Sequence, residues 1–271
     1  MNKIVLPIKY FDQHVHSSFS ADSKTRISAY LKKANSLGLN YLTFTEHVDL
    51  NAFDGKNWNF NPKRQAFYIS KYQIDNHNIH ILQGIEMGYS KKHLSLIKNI
   101  LTNHPYDVIN LSLHIYQNFD FYKKQKYLDL GIDNCLRIYF EEMINMLDEF
   151  ENFDVLCHFD YAFKTAHSID TTLKISSYSQ YLVKIMKLVI SKDKTLEINT
   201  KVQETINDEE HLRYILRLYK SMGGVYLTLS SDAHKVKRLC SNFAYYMQII
   251  KEEGFEFLSY FIKRKRYKFY L

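Results

Sequence analysis

The chain has 271 residues, with 46% hydrophobic and 24% charged side chains, the balance of an ordinary folded protein rather than a disordered one. No run approaches the ~18 apolar residues a membrane helix needs, and the opening MNKIVLPIKYFDQHVH is too short and too soon polar for a signal peptide. Three scattered cysteines, Cys135, Cys157 and Cys240, exclude a disulfide framework and suit a reducing cytoplasm, whereas a net charge of +7 leaves nucleic acid open as a partner.

In chain order, short runs rich in β-branched and aromatic residues predict strands over 10–14, 41–45, 80–85, 107–113, 153–157, 195–199 and 225–229. Longer amphipathic runs separate them. The first, 26–37, ends at Gly38, a C-cap signal. Pro62 opens the next, 63–76, and 90–103 stops before Pro105. Leu136, Tyr139, Phe140, Met143, Met146, Leu147 and Phe150 recur at helical spacing in 132–151. Helices over 175–191, 207–222 and 241–253 follow. Strict strand–helix alternation predicts an α/β fold with a parallel sheet.

The polar residues argue for a barrel. Six of the seven strands run into metal-capable side chains: Asp12, His14 and His16; Glu46 and His47; Glu86; His114; His158 and Asp160; Asp232 and His234. Six of the 12 histidines lie at these ends. A barrel gathers strand ends into one mouth, where function collects. Alternate residues of His14-x-His16 point the same way. Imidazole suits Zn, Fe or Mn, and carboxylates offset their charge. The donors exceed what one four-coordinate ion takes, so two or three divalent ions are expected. Taken singly, such residues are most often capped or solvated: Glu46 reads as a helix-start carboxylate and Asp160 as a surface acid. Cys157 and the run Phe119–Tyr122 read as core or pocket wall.

At these residues the sequence resembles the PHP (polymerase and histidinol phosphatase) superfamily, nearest its histidinol-phosphate phosphatase branch. The likeness rests on D-x-H-x-H-S-x-x-S-x-D from Asp12 to Asp22, T-E-H at Thr45–His47, and G-x-E at Gly84–Glu86. It continues through S-x-H at Ser112–His114, H-x-D at His158–Asp160 and S-D-A-H at Ser231–His234. The resemblance implies a distorted (β/α)7 barrel with a trinuclear metal site at its mouth. His14, His16, Glu86 and Asp232 would hold one ion. Glu86 would bridge to a second held by His114 and His158, and Asp22, His47 and His234 would hold the third. Asp22 stands where other branches carry His, and suits this branch.

The expected activity is hydrolysis of L-histidinol phosphate to L-histidinol and phosphate, a step of histidine biosynthesis, by in-line attack of a hydroxide bridging two metals. Asp160 or His234 would protonate the leaving alkoxide. Asp12 and Asn199 would orient ligands, and Ser17, Lys164, Lys201 and Asn199 would contact substrate. Histidinol phosphatases use arginines on phosphate; here no arginine closely follows the fifth or sixth strand, and Lys164 and Lys201 stand there instead. Phe19, Trp58, Phe119 and Tyr161 are pocket candidates, with 48–61 as a loop over the mouth. The rival functions are a PHP-type nuclease or nucleotide phosphatase, a protein-tyrosine phosphatase, and a non-catalytic metal-stabilised binding module. The last predicts degraded ligands, and all nine positions carry a usable one. Lys263, Arg264, Lys265, Arg266 and Lys268 make up most of the positive excess and fall in an expected solvated hairpin over 254–271. The expectation is therefore one cytoplasmic domain over 1–271 acting on a small phosphorylated substrate, with neither nucleic acid nor membrane as partner.

Overall fold

In the computed structural model, which describes residues 10–50, 57–117 and 119–271, seven parallel strands form one sheet. They are β1 (Phe11–Val15), β2 (Tyr41–Val48), β3 (His80–Gly88), β4 (Val108–Ser112), β7 (Val155–Leu156), β8 (Thr195–Asn199) and β9 (Leu227–Ser230), in that spatial order. The small arms β5 (Ile115–Tyr116) and β6 (Phe119–Asp120) make a separate hairpin beside the mouth. The sheet closes on itself through a parallel bridge from Val15 to Ala233, where His16 N–H donates to the Ala233 carbonyl at 2.9 Å. The result is a nearly closed (β/α)7 barrel. All seven strands read from sequence are present.

The helices α1 (Ile27–Leu37), α2 (Pro62–Asp75), α3 (Leu94–Thr102), α5 (Ile132–Glu149), α7 (Ser179–Ser191), α9 (Glu209–Ser221) and α10 (Phe243–Glu252) occupy the expected amphipathic runs. Gly38 ends α1 in the left-handed conformation, φ 69°, which a Cβ disfavours. The Asn61 side chain caps α2 by accepting from Arg64 N–H. On α5 the apolar stripe from Leu136 to Leu147 is fully buried against the barrel, each large side chain contributing about 1.5–3 kcal/mol. Three short helices were not read from sequence: α4 (Lys124–Leu130), α6 (Tyr161–His167) and α8 (Thr200–Ile206). Each spans about two turns, too few for a periodicity to show. No helix among the described residues is long and apolar enough to cross a membrane.

The C-terminal run forms β10 (Phe257–Ile262) and β11 (Lys265–Tyr270), and it is not a solvated hairpin. Leu258, Tyr260 and Phe261 are buried, and Phe11 packs on Tyr260 and Phe269. The Gln13 amide meets the Phe261 backbone from both sides, its Nε2 donating to the carbonyl at 2.8 Å and its Oε1 accepting from N–H at 2.7 Å. The hairpin thus packs on β1 and β2. Its basic residues are spent locally: Arg264 pairs with Asp154, Arg266 pairs with Asp193 and stacks on Tyr226, and Lys268 lies over Phe257.

Candidate metal centre

Glu86 is the hub of the mouth. It stands near the end of β3, fully buried, and five imidazoles converge on it. His14 Nε2 lies 3.0 Å, His47 Nδ1 3.1 Å and His16 Nε2 3.3 Å from Oε2. His158 Nε2 and His114 Nε2 lie 2.8 Å and 3.1 Å from Oε1. Asp232 Oδ1 faces His16 Nε2 at 3.3 Å and His234 Nδ1 at 3.3 Å. Asp22 Oδ2 lies 2.8 Å from His234 Nε2 and 3.6 Å from His47 Nε2. All nine residues expected as ligands therefore share one mouth. The Asp22 corner, its carboxylate a third exposed, is the part most open to solvent.

Backbone geometry sets these directions. His158 and Asp232 adopt positive φ, 25° and 48°, just past the ends of β7 and β9. Such positions are strained for non-glycine residues and cluster at functional sites. His158 is pinned there by its N–H donating to Glu197 Oε2 at 2.7 Å. Asp12 pins the next loop, accepting from Ser231 N–H, the Ser231 hydroxyl and Cys240 N–H. Burial pushes the Asp12 carboxyl up to about 6 despite those donors.

Several rings are oriented through Nδ1, which leaves Nε2 for the centre. His14 Nδ1 lies 2.6 Å from Glu197, His114 Nδ1 3.0 Å from Asp49, His16 Nδ1 3.2 Å from the Ser20 hydroxyl, and His234 Nδ1 3.0 Å from the Asp232 carbonyl. Carboxylate–histidine pairs of this kind are the usual support of metal ligands. Glu197 and Asp49 were missed in the sequence. Glu197 sits on the strand without a histidine, and Asp49 follows His47 at i+2, an alternation that would have flagged it.

The donor set fits divalent cations. His16 Nε2 and His47 Nδ1 are buried without a hydrogen-bond partner while aimed at carboxylates. Burial and its neighbours His47 and His234 push His16 down to about 4, so its lone pair is free at neutral pH. Burial opposes charge on His14, yet Glu197 and Glu86 draw its pKa well up; Asp49 and Glu86 do the same to His114. Glu86 and Asp232 are held well below the ordinary carboxylate range despite burial, Glu86 chiefly by its histidines and Asp232 by Lys201. The buried carboxylates thus favour positive charge on the groups around them.

Above this cluster lies a cleft of about 420 Å³, in the range of small-molecule sites. Lys123, Lys164 and Lys201 supply its cations, with Trp58, Tyr122 and Tyr161 as aromatic wall and Asp120 as an acid. Lys201 Nζ reaches Asp232 at 3.0 Å, and Lys164 Nζ lies over the Tyr161 ring at 4.2 Å. Trp58 pairs with Asp49 across an antiparallel bridge; 51–56 of the expected mouth loop lie outside the described residues. Phe19 and Phe119 pack against the core instead of lining the cleft.

Four further expectations need correction. Ser17 does not face substrate: it is fully buried and donates from both N–H and Oγ to Glu46. Asn199 is buried too, capping α8 through Lys201 N–H and Val202 N–H and donating to Glu197. Its place is beneath the site, as an orienting group. Asp160 is neither a surface acid nor a cleft acid, because the chain leaves strand geometry after Leu156. Its carboxylate turns behind α6, accepting from Gln203 Nε2 at 2.9 Å and facing His211 Nε2 at 3.1 Å. Glu46 lies inside β2 rather than at a helix start.

A tight approach at Gly88 gives a test of this scaffolding. A Cβ there would lie 1.9 Å from Asp49 Oδ1, so Gly88→Ala must displace the carboxylate that orients His114. Supports of this kind are typically worth ~10–100-fold in metal affinity. A metal titration of the variant that matched wild type would refute the link.

The sequence pattern of the family described as PHP domain matches residues 12–201, more than half of the chain. The chain belongs to the PHP domain family. Among its relatives, the histidinol-phosphatase of Lactococcus lactis is 29% identical over 256 residues, covering 94% of this chain and 95% of the relative. A probable histidinol-phosphatase of Clostridium acetobutylicum is 28% identical over 233 residues, 86% of this chain and 89% of the relative. The crystal structure of a Lactococcus lactis histidinol phosphate phosphatase, complexed with Zn, L-histidinol and phosphate, superposes with a TM-score of 0.87 at 29% identity. The match covers 95% of this chain and 98% of that one.

Proposed function

We propose that the chain is a divalent-metal-dependent phosphate monoester hydrolase acting on L-histidinol phosphate. The observation that carries this is the convergence of five imidazoles on Glu86 at the floor of a lysine-lined cleft. The likeness to a Lactococcus lactis enzyme bound to Zn, L-histidinol and phosphate supports the substrate.

In this reading His14, His16, Glu86 and Asp232 hold one ion, Glu86, His114 and His158 a second, and Asp22, His47 and His234 a third. Bound ions would supply a nucleophile from water near neutral pH and neutralise charge on the phosphoryl oxygens. The protein's own part is placement. Glu86 presents one oxygen to each side of the cluster, and Glu197, Asp49 and Ser20 hold the rings in line. His234, with Nε2 on Asp22 and Nδ1 on the Asp232 carbonyl, acts as a ligand rather than an acid. Lys164 and Lys201 reach the cleft as point charges on phosphate, in the role arginines fill elsewhere in the branch.

Lys164 gives this reading a pH signature. Burial, helped by nearby Lys201, lowers its pKa to about 8. The ammonium is present below that pH and lost above it, so kcat/KM is expected to fall on the alkaline side of about pH 8. Lys164→Met should lower kcat/KM at pH 7 and remove the limb. An alkaline limb that persisted in the variant would rule the residue out.

The deciding assay is phosphate release by protein loaded with Zn or Mn. Histidinol phosphate is offered beside nucleotides, phosphotyrosine and single-stranded DNA. Turnover is expected on histidinol phosphate above the rest. No release from any monoester would sink the proposal, and metal analysis showing at most one ion per chain at saturation would sink the ligand assignment.

A further inference from the structure

One buried carboxylate near the site touches no substrate-facing group and no proposed metal ligand's side chain. Glu46 is fully buried in β2 and accepts four donors. Oε2 takes Ser17 N–H at 3.0 Å and the Ser20 hydroxyl at 2.7 Å. Oε1 takes the Ser17 hydroxyl at 2.5 Å and Gln65 Nε2 at 2.7 Å.

Ser20 connects this anion to the rings. Its hydroxyl has one proton, and the 2.7 Å contact with a carboxylate claims it. The oxygen's remaining capacity is for accepting. His47 N–H fills one position at 3.1 Å, and His16 Nδ1 approaches the same oxygen at 3.2 Å. With its proton committed to Glu46, Ser20 can meet His16 only as an acceptor. His16 must therefore carry its proton on Nδ1, leaving Nε2 bare between Glu86 and Asp232, 3.3 Å from each.

The far side of Glu46 has the same polarity. Gln65 donates to Glu46 and accepts from Gln83 Nε2 at 2.6 Å. Gln83 also donates to the Pro62 carbonyl, so its Oε1 is left to accept from His104 Nε2 at 2.6 Å. Every donor in this relay, from half-buried His104 inward, points toward Glu46. Reversing the Gln65 amide would set its oxygen against the Glu46 carboxylate and its NH2 against that of Gln83, and reversing Gln83 would set its oxygen against those of Gln65 and Pro62.

We propose that Glu46 is a positioning residue that fixes the tautomer of His16 through Ser20, so that His16 presents an unprotonated Nε2 to a metal ion. The metal clause rests on the hydrolase reading above; the tautomer clause does not.

The test uses the full chain, metal-free, with 15N-labelled histidine. Wild type should show His16 protonated on Nδ1. Ser20→Ala and Glu46→Gln should each shift His16 toward the Nε2–H tautomer and weaken Zn binding, measured by chelator competition, by tenfold or more. Thermal melting checks that each variant is folded. If Glu46→Gln does not fold, Ser20→Ala, which removes one hydroxyl, decides alone. A His16 that stays Nδ1–H in folded Ser20→Ala, with Zn affinity unchanged, overturns the proposal. Failure of wild type to take up Zn would instead count against the hydrolase reading, and the tautomer measurement would still decide the role of Glu46.

Discussion

Glu86→Gln is expected to lower phosphate release by at least ~10³-fold, about 4 kcal/mol of transition-state stabilisation. The side chain serves two sets of rings at once. His14, His16 and His47 face Oε2, while His114 and His158 face Oε1. Glutamine offers one acceptor and one NH2, so one set would meet a donor where its lone pairs are needed. The change also removes a negative charge from the point where the cations would lie, in surroundings too buried for solvent to screen the loss. Glu86→Asp keeps the charge but shortens the reach, and should remain well below wild type. Phosphate-release kinetics and metal content measured on the same preparations check both. Turnover in Glu86→Gln within tenfold of wild type would remove Glu86 from its central place.

Much of the barrel was legible because its strands are short, apolar and evenly spaced by amphipathic helices, and because each strand ends in unlike chemistry. What escaped has physical causes. H-x-D at His158 counted as a strand end at the mouth, with Asp160 as a candidate acid, but the chain leaves strand geometry before it. The ladder ends at Leu156, His158 has φ 25°, and Asp160 swings behind α6. Glu197 escaped because a carboxylate in an apolar strand reads as an isolated oddity until the fold brings His14 from β1 against it. The hairpin was misjudged for a related reason. Its basic residues suggested solvent, while the alternating Leu258 and Tyr260 are buried against residues more than 200 positions earlier in the chain, such as Phe11.

The largest stability effect should come from Glu197→Ala. This carboxylate is 1% exposed and accepts four donors: His14 Nδ1 at 2.6 Å, His158 N–H at 2.7 Å, Asn199 Nδ2 at 3.2 Å, and the Ser230 hydroxyl. Removing it leaves these donors buried in a site that water does not reach. At about 1–3 kcal/mol for each unsatisfied group, a loss of ~4 kcal/mol or more is expected in urea denaturation. Burial raises the pKa of Glu197, but His14 and the hydrogen bonds outweigh it and hold the group below the usual carboxylate value. A depressed carboxylate contributes stability above its unfolded pKa and loses it as pH falls through the folded one. Wild type should therefore lose this share of stability as pH falls below the ordinary carboxylate range, and Glu197→Ala should lack it at neutral pH. Activity should fall with stability, since the same carboxylate pins His158 in its strained conformation and orients His14 toward Glu86. A variant within ~1 kcal/mol of wild type would mean that the freed donors find other acceptors. The rigidity of the centre would then have to come from the strand ends themselves.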